Sequence, residues 1–316
     1  MKKTAFVFPG QGSQYVGMCK SFYDEYSVAR TTFEEASDAI GHDMARLCFE
    51  GPGEALDRTE NTQPALLTAS MAALRVLREK ANIRPSFMAG HSLGEYTALV
   101  ASGSLDFKDA VRLVKMRGRF MQESVSPGTG KMCAILGLDI DTVEVICDSA
   151  SMGAAVVVPA NINSPAQIVI SGHAAAVDIA ASLAMERGAR RVVELQVSVP
   201  SHSPLMIKAA ERLGTELTKT AFKTPDIPVL TNVEAQPAGH AESIREILIR
   251  QLTSPVRWVG IVRKLKKEGV RCIVEIGPGK VLSGLNRRIE KDIESVSVDT
   301  TSDIEGAISA VSGGAV

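Results

Sequence analysis

The segment of this sequence best suited to chemistry is Gly90-His91-Ser92-Leu93-Gly94. It follows the strand-like run SFMAG and precedes the helical run EYTALVAS, so it fits G-x-S-x-G in the strand–turn–helix setting that pattern requires. So sharp a turn pushes a serine hydroxyl out of the sheet edge, and the next backbone N–H, that of Leu93, can donate to an oxyanion. Ser92 is the candidate nucleophile. The bland alternative is a glycine-rich β-to-α turn with an idle serine.

A nucleophilic serine needs a base, and His202 in Val199-Pro200-Ser201-His202-Ser203 is the best placed. It lies where the chain leaves a run of strand-like residues at a crossover. His91 is too close to Ser92 along the backbone to face it, and His42, His173 and His240 sit in polar, surface-like contexts. With an ordinary imidazole pKa such a base is lost below about pH 6 to 7, unless its surroundings shift it.

A third residue emerges from helical phase. At about 100° per residue, Ala110, Leu113, Val114, Phe120 and Met121 lie within about 60° of the direction of Arg117. Arg112, Lys115 and Arg119 lie on the opposite side, as solvated charges should. A guanidinium turned into an apolar face needs an anionic partner. That partner is either a protein carboxylate in a structural ion pair or the free acid group of a ligand, held by a bidentate fork.

The loop Phe8-Pro9-Gly10-Gln11-Gly12-Ser13-Gln14 follows the first strand-like run and can present backbone N–H groups to an anion or oxyanion. It is not a dinucleotide fingerprint, because Tyr15 stands where the third glycine belongs. Gly277-Pro278-Gly279-Lys280 lacks the upstream glycine of a phosphate-binding Walker loop.

These residues need a scaffold, and the pattern supplies one. Strand-like runs at 4–8, 86–90, 228–232, 271–277 and 295–299 alternate with helical stretches. Among the latter are Pro64 to Lys80, with Pro64 in its first turn, Glu95 to Ser102, Lys108 to Glu123, Ser203 to Phe222 and Glu242 to Leu252. This reads as a large α/β-hydrolase-like domain with a parallel sheet. Residues 131–197 change rhythm to β-α-β-β-α-β, the ferredoxin-like split unit, with Asn163-Ser164-Pro165 as its central turn and Gly128 and Gly130 at its entry. The expected organisation is a catalytic domain of 1–130 and 198–316 with a small subdomain of 131–197 inserted, and a binding cleft between them.

Composition narrows the function classes. The chain has 316 residues, 45% hydrophobic and 22% charged, which excludes disorder and low complexity. A formal net charge of -1 gives no overall field for nucleic acid or an anionic membrane. The start MKKTAFVFPGQG imitates a secretory signal, but Pro9 and Gly10 cut its apolar run too short. The uncharged stretch 149–177 carries Pro159, Asn161, Asn163, Pro165 and Gln167, which argues against a transmembrane helix. Five scattered cysteines without C-x-x-C spacing suit reduced thiols, no zinc site and a cytoplasmic setting.

FPGQGSQ, TQPA at 62–65, GHSLGEY, the Arg117 segment, NINSPAQ, VPSHS and EIGPGKVL stand in order along the chain. By these blocks, which span essentially its full length, the sequence resembles the malonyl-CoA:acyl carrier protein transacylases of fatty acid synthesis. The resemblance implies Ser92 as nucleophile, His202 as base and Arg117 on the malonyl carboxylate. It also implies an oxyanion hole from the backbone N–H groups of Gln11 and Leu93, and a Gln251 backbone carbonyl that orients the histidine in place of a triad Asp. Gln63, His91, Asn161 and Asn163 are further candidates for the substrate site. No permanently bound cofactor is implied; malonyl-CoA is the substrate, and the phosphopantetheine arrives on an acidic acyl carrier protein met by a monomer. Arg263, Lys264, Lys266 and Lys267, or Arg187, Arg190 and Arg191, are candidate docking clusters, though each singly reads more readily as an ordinary solvated helix face.

Three readings compete. A serine hydrolase would share the elbow and recruit Asp106, Asp139 or Asp141 as the triad acid. A non-catalytic carrier-binding domain would keep the fold alone. A transferase of a different acyl group, such as methylmalonyl, differs by one methyl, worth about 1 to 3 kcal/mol in a pocket.

Overall fold

The computed structural model describes residues 1–195 and 199–313. Among the described residues the strands are β1 (Thr4–Phe8), β2 (Phe87–Gly90), β3 (Gly130–Leu136), β4 (Val157–Ser164), β5 (Gln167–His173), β6 (Arg191–Glu194), β7 (Val229–Leu230), β8 (Cys272–Ile276) and β9 (Glu294–Val298). Five form a parallel sheet in the order β7-β2-β1-β8-β9. Every residue of β1 is buried, as expected of a central strand covered on both faces. Its alternation separates two cores: Phe6 and Phe8 pack with Leu66, Tyr96 and Val114, whereas Ala5 and Val7 pack with Trp258 and Ile261.

Residues 130–194 form a second, antiparallel sheet in the order β4-β5-β3-β6. Numbered within the segment, that order is 2-3-1-4, the ferredoxin-like arrangement read from the sequence. Helices Ile140–Ala150 and Ala174–Glu186 cover one face through Val143, Ile146, Val177 and Ala180. On the other face Met132, Ala134, Ala160 and Val169 form a small cluster of their own. Strand β4 is pinned to the main body where Ile162 N–H donates to Val256 O and Val256 N–H to Ala160 O, both at 2.9 Å.

Several boundaries differ from the sequence reading. The helix expected to begin at Pro64 runs from Thr59 to Lys80, so Pro64 lies inside it and Gln63 is helical. Proline interrupts only the bond to Glu60 O, and the start of this helix is held against Gly118, where a Cβ would come within 2.5 Å of Thr59 O. The helix expected from Ser203 opens with a short 3₁₀ turn, Pro204–Met206, and continues as Ile207–Lys219. Strand β7, at the sheet edge, keeps only two of the five residues expected of it. Strand β4 extends through Ser164, which leaves Pro165 and Ala166 as the hairpin loop. The end of the run expected at 190–197 lies partly outside the described residues. No helix among the described residues is long and apolar enough to cross a membrane.

Candidate active site

At the carboxyl end of β2 the chain turns so tightly that Ser92 takes φ 50° and ψ −105°, a conformation L-residues avoid. Such strain costs about 1 to 3 kcal/mol and persists only where neighbours enforce it. Asn232 is one enforcer: its side-chain amide accepts from Ser92 N–H (2.7 Å) and donates to Gly90 O (2.6 Å), bracketing the turn. Glycine is the other. A Cβ on Gly90 would sit 1.9 Å from the Gly94 backbone, and one on Gly94 would sit 2.1 Å from Phe8 O. The elbow therefore rests directly on the end of β1. Helix Leu93–Ala101 starts at once, so Leu93 holds its first N–H, one of the four that a helix leaves without an internal acceptor.

His202 is 2% exposed and meets Ser92 across 110 residues of chain, with Nε2 at 2.8 Å from Oγ. Its Nδ1 lies 2.8 Å from Gln251 O and 3.1 Å from Ser254 O. Both are acceptors only, so Nδ1 carries the proton and Nε2 presents its lone pair to the serine hydroxyl. Gln251 closes helix Ala241–Gln251, where carbonyls lack intrahelical partners and the dipole is negative. An imidazolium formed here is stabilised without any carboxylate. Burial, then the Arg117 charge, push the His202 pKa down to about 3, which corrects the expected loss of base below pH 6 to 7.

Arg117 is 1% exposed, as its helical phase required. Among the described residues no carboxylate reaches ion-pair distance of it, so the structural ion pair that the sequence allowed is not formed. Nη1 donates to Gln63 Oε1 (2.8 Å), while Nη2 donates to Gln251 Oε1 (3.0 Å) and Ser92 Oγ (3.3 Å). Its Nε is buried with no hydrogen-bond partner among the described residues. The guanidinium also stands 5.4 Å over the Tyr96 ring. This is a cation held by neutral oxygens, with a spare donor, beside the Ser92 hydroxyl.

A cavity of about 90 Å³ joins these groups, lined by Gln11, Gln63, His91, Ser92, Leu93, Arg117, Met121, Met132, Asn161, Leu195, Ser201 and His202. At about 30 Å³ per water it admits a short acyl group and no long chain. A larger surface cleft of about 530 Å³, between Arg78 and Ile227, lies at the opposite ends of the strands and contains none of these residues. Asn163 stands behind this cavity, its Oδ1 2.9 Å from His91 Nε2, and so ties the inserted sheet to the elbow. Asp106 and Asp139 accept backbone N–H bonds as helix N-caps, and Asp141 lies in the first turn of a helix. None of the three is bonded to His202. Among the described residues no group of three or more His, Cys, Asp or Glu side chains is placed to hold a metal ion.

The sequence reading missed Asn232, Ser254 and Glu95. Glu95 is 1% exposed, and its Oε2 accepts from Gln251 Nε2 (2.7 Å) and Asn232 N–H (3.0 Å). Its one signal was an acid in the otherwise uncharged helical run after the elbow.

A strained serine on a parallel α/β sheet, a buried imidazole and a small cavity between two sheets define an acyl-transfer site, and the chain belongs to the acyl transferase domain family, whose model matches residues 5–303. It is an acyltransferase. A malonyl CoA-acyl carrier protein transacylase of Haemophilus influenzae is 51% identical over 300 residues, 95% of this chain and 96% of that protein. The solved malonyl-CoA:acyl carrier protein transacylase of Xanthomonas oryzae pv. oryzae has a TM-score of 0.96 at 48% identity, covering 98% of this chain and 99% of its own. A malonyl-transacylase solved in complex with a type II PKS acyl-carrier protein has a TM-score of 0.95 at 46% identity, covering 99% of this chain and 100% of its own.

Proposed function

We propose that this acyltransferase moves a malonyl group from coenzyme A to the phosphopantetheine thiol of an acyl carrier protein, in two half-reactions through an ester on Ser92. The observation that carries the reading is Arg117, a buried cation with no carboxylate in direct contact among the described residues, whose Nη2 lies 3.3 Å from Ser92 Oγ. A thioester bound with its carbonyl over Ser92 would set a terminal carboxylate two bonds further on against that fork. The names of the relatives support the same acyl group and the same acceptor.

In the first half-reaction His202 Nε2 takes the Ser92 hydroxyl proton as Oγ attacks the thioester carbonyl. The tetrahedral oxyanion is received by the backbone N–H groups of Gln11 and Leu93, both at the cavity wall. Its collapse breaks the C–S bond, and the imidazolium returns the proton to the coenzyme A thiolate. In the second half His202 deprotonates the phosphopantetheine thiol, the thiolate attacks the Ser92 ester, and the proton goes back to Oγ. Gln251 O holds the imidazole throughout, Arg117 keeps the carboxylate fixed, and Gln63 Oε1 holds Arg117. His91 and Asn161 complete the wall, with Asn163 steadying His91. In the same reading residues 131–197 are an inserted domain on a main body of 1–130 and 198–316, the protein acts as a cytoplasmic monomer supplying fatty acid synthesis, and it needs no resident cofactor.

The test is the intact mass of the protein after brief and longer incubation with malonyl-CoA alone. The expected result is a persistent malonyl adduct, absent from Ser92→Ala and much weaker with acetyl-CoA. Continuous release of coenzyme A with no adduct would instead make the protein a hydrolase.

A further inference from the structure

The reaction just described leaves Glu95 without a task, yet a carboxylate that is 1% exposed is costly unless compensated. Two neutral donors compensate it, Gln251 Nε2 at 2.7 Å and Asn232 N–H at 3.0 Å, both on Oε2. The first of these has a directional consequence. A side-chain amide can sit either way round, but the Glu95 carboxylate and the Ser92 carbonyl, 3.1 Å from the same Nε2, only accept, so the NH₂ of Gln251 faces both. Its Oε1 is thereby turned to Arg117 Nη2, at 3.0 Å. Reversed, the amide would point NH₂ at a guanidinium that has only donors to offer. The main-chain carbonyl of the same Gln251 receives His202 Nδ1–H at 2.8 Å.

We propose that Glu95 is a positioning residue for acyl selection: through the Gln251 amide it holds Arg117 in the pose that receives a substrate carboxylate, and it serves as the buried counter-charge of that guanidinium. The proposal rests on the malonyl-transfer reading. Burial raises the Glu95 pKa to about 7 against the pull of the Gln251 and Asn232 donors and the Arg117 charge, so the carboxylate is mostly ionised at pH 8.

The test compares Ser92 acylation by malonyl-CoA and by acetyl-CoA at pH 8, in rapid-mixing experiments read by protein mass. Glu95→Gln keeps the shape but removes the charge, and with it the charge-assisted bond that, beside the Gln251 Nε2 bond to Ser92 O at 3.1 Å, holds the Gln251 amide. The malonyl-to-acetyl rate ratio should fall about tenfold, the equivalent of one charge-assisted hydrogen bond. Acetyl acylation should stay within about threefold of the wild type. Gln251→Met, which removes the relay and keeps the main-chain carbonyl, should lower the ratio similarly, and adding E95Q to it should lower it no further. A ratio unchanged in E95Q, an equal fall for both acyl groups, or full additivity in the double variant overturns the proposal. Should E95Q not fold, an unchanged ratio in Q251M alone overturns it. A wild type without preference for malonyl overturns the functional reading itself, a different outcome from a selective wild type with a selective E95Q.

Discussion

Replacing Arg117 with alanine should change which acyl group the protein accepts more than it changes the chemistry at Ser92. The guanidinium engages three of its five N–H donors, on Gln63, Gln251 and Ser92. A carboxylate that displaces the 3.3 Å contact to Ser92 Oγ can use that donor together with a spare one. Each hydrogen bond to a charged group contributes about 1.5 to 3 kcal/mol, so losing two costs about 3 to 6 kcal/mol. That corresponds to a drop of about 10² to 10⁴ in malonyl kcat/KM. Acetyl-CoA has no carboxylate to lose. Truncation also removes the charge that, after burial, most depresses His202, and it removes a donor to the nucleophile, so acetyl acylation should hold or rise. The assay is single-turnover acylation with both thioesters, run beside thermal unfolding, because Glu95 would lose its counter-charge. An equal loss for both acyl groups, or unchanged malonyl kinetics, would refute the assignment of Arg117.

Two further outcomes follow from the geometry. The folded pKa of His202 is about 3 against an ordinary 6.5, so the unfolded chain binds more protons between those values. The contribution of the neutral imidazole to stability is therefore complete above pH 6.5 and is lost as pH falls toward 3. Acylation by acetyl-CoA, which does not draw on Arg117 or Glu95, should stay flat from pH 8 to 5, and an acid limb centred near 6.5 would count against this. Asp106 accepts from Lys108 N–H and Asp109 N–H as an N-cap, so Asp106→Ala should cost about 0.5 to 2 kcal/mol in denaturant unfolding and leave acylation within about twofold. A large loss of activity would restore the hydrolase triad.

What the sequence made legible depended on how far each role is written in local residue type. The elbow was readable because its strand, turn and helix lie within some twenty consecutive residues, and two glycines there have steric duties that no other residue can fill. Arg117 was readable because helical phase is a local property, and its burial followed from the neighbours' spacing. Pro64 misled for the same reason. Proline marks helix starts statistically, whereas here tertiary packing against Gly118 sustains one turn before it.

Gln251 belongs to a second category. Its main-chain carbonyl holds His202, and a carbonyl has no residue-type signature, so only the family resemblance pointed to that position. Its side chain could have been any long polar group by sequence alone. In the structure the same amide joins Arg117 to Glu95, across separations of 134 and 156 residues. Asn232 likewise reaches Ser92 from 140 residues away. Such roles arise only when β2 and β7 become neighbours and bring their carboxyl ends together. The parallel sheet thus does more than expose a serine. By placing the elbow, the Asn232 loop and the end of helix Ala241–Gln251 side by side, it lets one glutamine hold His202 with its backbone and Arg117 with its side chain. A shift of that helix end should therefore disturb His202 and Arg117 together, whereas removing only the Gln251 amide should disturb Arg117 and leave the His202 contact in place.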